Sequence, residues 1–236
     1  MGEGRKEKDL EPFWEWFGRE RAEKITHGVM DMAKGFINSF RNHCLSIKII
    51  YDKFHVIRHL FNALNEVRKS EFKRAEEKMK WLLCGKKFIL LSREKNLNGD
   101  ARESLKSLLS ANQRLFKAHL LKEIFGKLWS YTYKWAALRF FKQWKEHDPL
   151  KWVPRWSRLT PYKKFAQMVE NHIDGILAYC DKEVPLGYIE GTNLKVRNIV
   201  RRAYGYRDKE YMKLKIIQEC SSIGIFRPYP YIHYPG

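Results

Sequence analysis

Hydrophobic residues near the start of the chain follow a helical period and then give way to two short apolar runs. A first helix is predicted from four apolar residues at helical spacing, Leu10, Phe13, Trp14 and Phe17, and Gly18 is expected to end it. The runs KITHGVMD and IKIIYD come next, and they end on Asp31 and Asp52. The stretch between them, MAKGFINSF, has helical spacing. The pattern therefore predicts strand–helix–strand, a unit from which α/β sheets are built.

From about residue 54 to residue 182 the pattern becomes helical and strongly basic. One predicted helix has an apolar stripe formed by Ile57, Leu60, Phe61, Leu64 and Val67. A long helix is predicted over 112–144, with Leu115, Leu121, Phe125, Leu128 and Ala136 on one side. After a proline-marked break, another helix is predicted over 161–179. Four tryptophans at helical spacing are interpreted as core side chains rather than as base-stacking platforms: Trp81, Trp129, Trp135 and Trp144.

A densely basic segment begins at Glu190, and its period predicts a helix. One face carries Glu190, Asn193, Arg197 and Arg201, and the neighbouring apolar face carries Ile189, Val196, Val200 and Ala203. We expect Gly205 to end this helix in a left-handed conformation. The Pro- and Tyr-rich tail, 223–236, is predicted to be extended.

Charge and composition then narrow the class of protein. The chain has 236 residues, with 46 Lys and Arg against 27 Asp and Glu, so its formal net charge is +19. An apolar fraction of 44% excludes a disordered polyelectrolyte. No apolar run is long enough to span a membrane, and no signal peptide is recognised. The four isolated cysteines are interpreted as buried free thiols. We expect a cytoplasmic, nucleoid-associated protein whose partner is a nucleic acid.

Three acidic residues are candidates for metal chemistry. Asp31 and Asp52 end predicted strands, where side chains of open α/β sheets converge on a site. Glu190 is a single acid among bases, an arrangement that suits Mg²⁺ or Mn²⁺ beside a phosphate backbone. Residues 190–215 contain eight Lys and Arg against three Asp and Glu. The expected DNA-contacting residues are Asn193, Lys195, Arg197, Arg201, Arg202 and Arg207.

Each acidic candidate also has a structural interpretation. Asp31 and Asp52 are good helix N-caps for the segments that come after them. His55 and His59 are spaced four residues apart and, with Asp52, resemble a three-ligand zinc cluster. The favoured interpretation of His55 is instead a side chain that lines the site or forms a hydrogen bond to one of its ligands. Glu190 is also compatible with an ordinary solvated helix position.

Three blocks of sequence resemble an insertion-sequence transposase. They are VMDM, IKIIYDKFHVIRHL and IEGTNLKVRNIVRRAYGYRDKEYMKLKII, and the last is the most specific. The chain is similar to the ISL-three family of DDE transposases over nearly its whole length. The resemblance implies an α/β fold with a ribonuclease-H-like core and a large all-helical insertion. The expected domains are 1–56 and 183–222 in the core, 57–182 in the insertion and 223–236 as the tail.

Within this resemblance, Glu190 matches the last acid of the catalytic triad and Asp31 matches the second. The first strands of the core, and the first acid, are then expected to be missing from the chain. An alternative assignment makes Asp31 the first acid and Asp52 the second.

The resemblance implies Mg²⁺- or Mn²⁺-dependent DNA cleavage at transposon ends and strand transfer into target DNA. We expect a truncated fragment, acting as a homo-oligomer, with little activity alone. The rival function is a non-catalytic remnant that binds DNA or modulates an intact transposase.

Overall fold

The computed structural model describes Gly4 and residues 6–146, 159–180 and 186–220. For residues 186–190, and for Lys78, Met79 and Leu82, it describes the backbone alone. The chain contains two compact units, one formed by Arg5–Lys182 and the other by Glu183–Gly236 with Met1–Gly4. The predicted tail, 223–236, and the proline-marked break lie outside the described residues.

The chain begins with three short helical segments that contribute Trp14 and Ala22 to a small second core, which also contains Cys44. A 3₁₀ helix, Glu7–Leu10, leads into α1, Glu11–Phe17, and α2, Arg19–Ala22. Gly18 ends α1 with a φ of 82°, as the sequence predicts. Buried Trp14 donates its indole N–H to Ser39 Oγ over 2.7 Å. This bond ties α1 to the helix that comes after the first strand.

The predicted strand–helix–strand unit is present. It consists of β1, His27–Met30, α3, Lys34–His43, and β2, Lys48–Tyr51. The two strands pair in parallel, with Met30 opposite Tyr51. The other regular elements of the described chain are helices, so the fold is mostly α-helical with a small two-stranded parallel sheet.

After β2, the described elements of the larger unit are all helices. Their bounds are α4, Lys53–Arg74; α5, Glu77–Leu83; α6, Lys87–Leu91; α7, Gly99–Ala111; α8, Gln113–Phe125; α9, Lys134–Glu146; α10, Thr160–Asn171; and α11, Ile173–Leu177. Further 3₁₀ helices cover Glu94–Asn96, Gly126–Ser130 and Ala178–Cys180. The central helix α4 packs against α8 and α10, and the main core lies between them. No described helix has the length and apolarity that crossing a membrane requires.

Three predictions about these helices are wrong in part. The single helix expected over 161–179 is interrupted at His172, between α10 and α11. The long helix expected over 112–144 breaks at Gly126, where a 3₁₀ helix intervenes before α9. On α4 the buried stripe contains Leu60, Leu64 and Val67 as expected, but Val56 is buried where Ile57 was predicted. A helix that contacts partners on two sides buries a wider face than a single stripe.

A buried lysine joins α8 to the end of α6. Lys122 Nζ donates to Leu90 O over 3.2 Å and to Ser92 O over 2.5 Å. The same ammonium lies 3.2 Å from His119 Nε2 and 2.6 Å from Glu123 Oε1. Burial lowers the pKa of Lys122, and Glu123 opposes that shift. Because the ammonium can only donate, His119 accepts and is therefore neutral.

The neutral state of His119 predicts a pH-dependent stability. Burial, with the adjacent Lys122 cation, lowers the pKa of His119 to about 4. The unfolded chain binds a proton near pH 6.5, whereas the folded chain resists it, so stability falls as the pH drops from about 6.5 to 4. We expect a loss of about 3 kcal/mol in the free energy of unfolding. Denaturant titrations at both pH values measure this loss. His119→Gln should remove the part of the pH dependence that His119 causes, whereas His27→Gln should leave it unchanged.

The smaller unit is a helical hairpin. Helix α12, Leu186–Arg202, and α13, Lys209–Cys220, pack against each other and bury Ile199 and Ile216. The turn between them contains Tyr204 and Gly205 with φ values of 50° and 98°. The predicted left-handed glycine is therefore confirmed. Asp208 begins α13, since its Oδ1 accepts from the amides of Glu210 and Tyr211.

Candidate functional site

Asp31 and Asp52 lie directly beyond the ends of two adjacent strands. The parallel register that sets Met30 opposite Tyr51 makes these aspartates the next opposed pair. The backbone continues the pairing, because the amide of Asp52 donates to Met30 O over 3.1 Å. The structure thus brings together two of the three predicted acids at one edge of the sheet.

The two carboxylates have different surroundings. Asp31 is partly buried, and its Oδ1 accepts from the Ala33 amide over 3.0 Å, just before α3 begins. Its second oxygen has no hydrogen bond within the described part of the chain. Asp31 therefore presents one carboxylate oxygen that is available to a ligand.

Asp52 is the N-cap of α4, as its structural interpretation predicted. Its Oδ1 accepts from the Phe54 amide over 2.8 Å, and its Oδ2 lies 2.9 Å from His55 Nδ1. An ionised carboxylate only accepts, so Nδ1 of His55 carries the hydrogen. Both oxygens of Asp52 are thus oriented by neighbours, one of which is His55.

Two further histidines lie near this edge. His59 is one turn along α4 from His55, and burial followed by the charges of His55, Arg58 and His172 lowers its pKa. His172 donates its Nδ1 hydrogen to Met168 O, and its ring meets the edge of Tyr51 with centroids 5.2 Å apart. Sequence reasoning missed His172 because α10 lies more than 100 residues beyond the strand.

Gly175 holds α11 against β2. A Cβ at this position would lie 2.6 Å from the Tyr51 ring and 3.0 Å from Ile49 O. Tyr51 directly precedes Asp52, so this close approach fixes the backbone that carries the carboxylate. A glycine in the segment IDGI was the available signal in the sequence.

Gly175→Ala is expected to destabilise the protein although alanine is the better helix former. Helix propensity favours alanine by about 1 kcal/mol, whereas forcing a methyl group into the Tyr51 ring costs about 1–3 kcal/mol. Thermal unfolding should therefore show a lower midpoint. Gly126→Ala is the control, because a methyl group added there would meet nothing within 4 Å and should not lower the midpoint. A stabilised Gly175→Ala protein would contradict the close contact.

The oxygen donors at this edge suit a hard divalent cation, but they form only part of a ligand set. Asp31 and Asp52 are the ligand type that Mg²⁺ prefers. Among the described side chains, no group of three or more His, Cys, Asp or Glu is arranged to hold a metal ion. The zinc-like grouping of Asp52, His55 and His59 therefore has no support. The Glu190 backbone lies in α12, in the other unit, and its side chain is outside the described residues.

The basic helix and the turn after it carry the predicted DNA-contacting residues. All six are exposed: Asn193, Lys195, Arg197, Arg201, Arg202 and Arg207. Lys195 Nζ donates to Glu219 O, so this side chain also holds the hairpin together. The four arginines of this set form no ion pair with any residue that the structure describes. Four exposed guanidinium groups are thus available to a polyanion.

Comparison with known proteins gives the class to which this chain belongs. The chain is a member of the ISL-three family of transposases, whose family model, described as a transposase, matches residues 1–216. The family resemblance drawn from the sequence is therefore confirmed.

Two curated relatives are transposases of named insertion sequences. The transposase for insertion sequence element IS1001 from Bordetella parapertussis is 29% identical over 219 residues, covering 92% of this chain and 52% of that protein. The transposase for insertion sequence element IS1557 from Mycobacterium tuberculosis is 24% identical over 221 residues, covering 84% and 48% respectively. The chain thus spans about half the length of the curated relatives it matches. No solved structure matches it.

Proposed function

We propose that the chain carries catalytic acids and a DNA-binding surface of a DDE transposase, which cleaves DNA at insertion-sequence ends and joins it to target DNA. One observation carries the proposal: in a member of a transposase family, Asp31 and Asp52 lie at adjacent ends of parallel strands. Such strand ends are where open α/β sheets hold their ligands. The proposed core is ribonuclease-H-like, with β1 and β2 as two of its strands and the helices from α4 to α11 as the insertion.

In this proposal Asp31, Asp52 and Glu190 would hold Mg²⁺ or Mn²⁺. A bound ion of this kind activates the attacking oxygen and neutralises charge on the phosphate. Asp31 offers its unbonded oxygen, and Asp52 is oriented by the Phe54 amide and His55. His55 is thus a positioning residue. The role of Glu190 rests on the EGTN motif and the family resemblance.

The exposed arginines of α12 and the turn after it are proposed to hold the DNA backbone. Each guanidinium that neutralises a phosphate releases a counterion, so the logarithm of the binding constant falls with the logarithm of salt by about 0.9 per contact. Arg197→Gln should therefore lower the slope for duplex DNA by about 1. Lys24→Gln is the matched control, because Lys24 is paired with Glu20 at 2.8 Å in the other unit. An unchanged slope for Arg197→Gln would remove that residue from the DNA contact.

A non-catalytic DNA-binding protein is the second candidate function. The observation in its favour is that Arg197, Arg201, Arg202 and Arg207 are exposed and form no ion pair with a described residue. Incubating the chain with labelled insertion-sequence ends and target DNA separates the candidates. Cleaved or joined products with Mg²⁺ or Mn²⁺, absent with a chelator, support the transposase. Salt-sensitive binding without products supports the second candidate.

A further inference from the structure

Two aromatic side chains at the start of α9 are largely exposed, against the expectation that the tryptophans belong to the core. Trp135 is 66% exposed and Tyr133 is 67% exposed. Their rings are close to parallel, with an angle of 27° and centroids 6.4 Å apart. An adjacent, nearly parallel pair of exposed rings offers a flat apolar surface that the rings of a partner can cover.

The exposed side of α9 is opposite its buried side. Ala137, Phe141 and Trp144 are buried, and Trp144 Nε1 donates to Leu121 O of α8 over 3.1 Å. At 100° per residue, Trp135 and the later residues Arg139 and Lys142 lie away from that buried side. The outer face of α9 is defined as Tyr133, Trp135, Arg139 and Lys142.

The charge of the outer face is positive and unpaired. Arg139 and Lys142 have no ion pair with any described residue. The cations beside them are engaged instead, since Lys134 lies 3.6 Å from Asp174 and Lys145 lies 2.6 Å from Glu170. One acid, Glu146, stands at the helix end. The surrounding range 53–146 contains 22 Lys and Arg against 9 Asp and Glu, so the wider surface favours a polyanion.

We propose that the outer face of α9 binds unpaired, single-stranded DNA, by stacking bases on Trp135 and Tyr133 and contacting phosphates with Arg139 and Lys142. Aromatic rings offer flat surfaces to bases whose faces are free, and cations beside them track the backbone. Paired bases in a duplex cover each other's faces, so a duplex can use only the two cations. The inference extends the DNA-binding part of the proposed function and is independent of metal catalysis.

Another exposed tryptophan provides a matched control. Trp81 on α5 is 80% exposed, but it lines a groove in which two acids, Asp100 and Glu103, outnumber one cation, Lys86. Phosphates are repelled there, so its removal should not weaken binding to DNA. Comparing the loss of Trp135 with the loss of Trp81 distinguishes base stacking from a general effect of removing an exposed tryptophan.

Fluorescence anisotropy of labelled oligothymidine and of a duplex of equal length, each about 20 nucleotides long, tests the proposal on the full chain. Trp135→Ala should weaken binding to the single strand by about 5-fold to 150-fold, the range expected for loss of one stacked base. Trp135→Phe should retain most of the single-strand affinity. The affinity of Trp135→Ala for the duplex should change less than twofold. Arg139→Gln should reduce the salt slope for the single strand by about 0.7.

Three results would overturn the proposal. The first is unchanged single-strand binding by Trp135→Ala, and the second is an equal loss for single strand and duplex. The third is a loss of self-association on light scattering with DNA affinity retained, which would make this face an interface between copies. Circular dichroism verifies that the exposed substitutions leave the fold intact. Because the readout is binding without metal, it is separate from the joining assay that tests catalysis.

Discussion

Asp31→Asn is expected to lower metal-dependent DNA joining by a factor of about 1,000 or more while leaving duplex binding unchanged or slightly tighter. The substitution keeps the oxygen that accepts from the Ala33 amide, so the turn before α3 is retained. It removes the charge on the oxygen that is available to a cation. Loss of a metal ligand costs several kcal/mol of transition-state stabilisation, and about 1.4 kcal/mol corresponds to each factor of ten. Strand-transfer products on a gel measure joining.

A second readout makes this prediction independent of turnover. Binding of Mn²⁺, monitored by electron paramagnetic resonance, should weaken at least about tenfold in Asp31→Asn, since one charged ligand is lost. Asp100→Asn, at an exposed position in the first turn of α7, should retain both joining and Mn²⁺ binding. Equal Mn²⁺ affinity in the parent chain and Asp31→Asn would exclude Asp31 as a ligand.

Lys122→Met is expected to lower the free energy of unfolding by about 3 kcal/mol, the largest stability effect among these substitutions. Methionine fills a similar volume, so the change removes the ammonium rather than the packing of the side chain. It leaves the carbonyls of Leu90 and Ser92 without their donor, and each unsatisfied buried acceptor costs about 1–3 kcal/mol. Urea denaturation measures the change.

Comparison with an exposed lysine isolates this effect. Lys106→Met, on α7, removes an exposed charge and should change stability by less than about 0.5 kcal/mol. A Lys122→Met protein as stable as the parent would mean that burying the ammonium costs as much as its hydrogen bonds return. Hydrogen exchange at α6 should increase in Lys122→Met, since the lysine links that helix to α8.

Local patterns were sufficient to predict the strand–helix–strand unit and the helical character of the segments after it. The period of hydrophobic residues can be read from a short stretch of sequence, and so can the glycines that end helices, Gly18 and Gly205. The break at Gly126 was missed because its flanking segments share an apolar side that is continuous in the pattern. Which face of a helix is buried depends on partners distant in sequence. For that reason Trp135 was assigned to the core and is exposed.

The residues of the candidate site likewise include some that local sequence predicts and some that only distant packing brings in. Asp31 and Asp52 were predicted to converge because the carboxyl ends of neighbouring parallel strands meet at one edge. His172 and Gly175 were missed because they reach β2 from helices more than 100 residues later. Their contacts with Tyr51 are a matter of packing, for which the sequence has no periodic signal. The roles assigned to Glu190 and to the basic residues stay predictions.

Because Asp52 caps a helix, the two aspartates would be under different selection in copies of an insertion sequence that no longer transpose. Asp52 begins a helix of 22 residues, and loss of an N-cap costs about 1 kcal/mol of stability. Selection for a folded, DNA-binding product would therefore preserve Asp52 even after transposition had ceased. Asp31 makes a single bond to a turn amide, which asparagine can replace. In copies that no longer transpose, we therefore expect substitutions at Asp31 to accumulate before substitutions at Asp52.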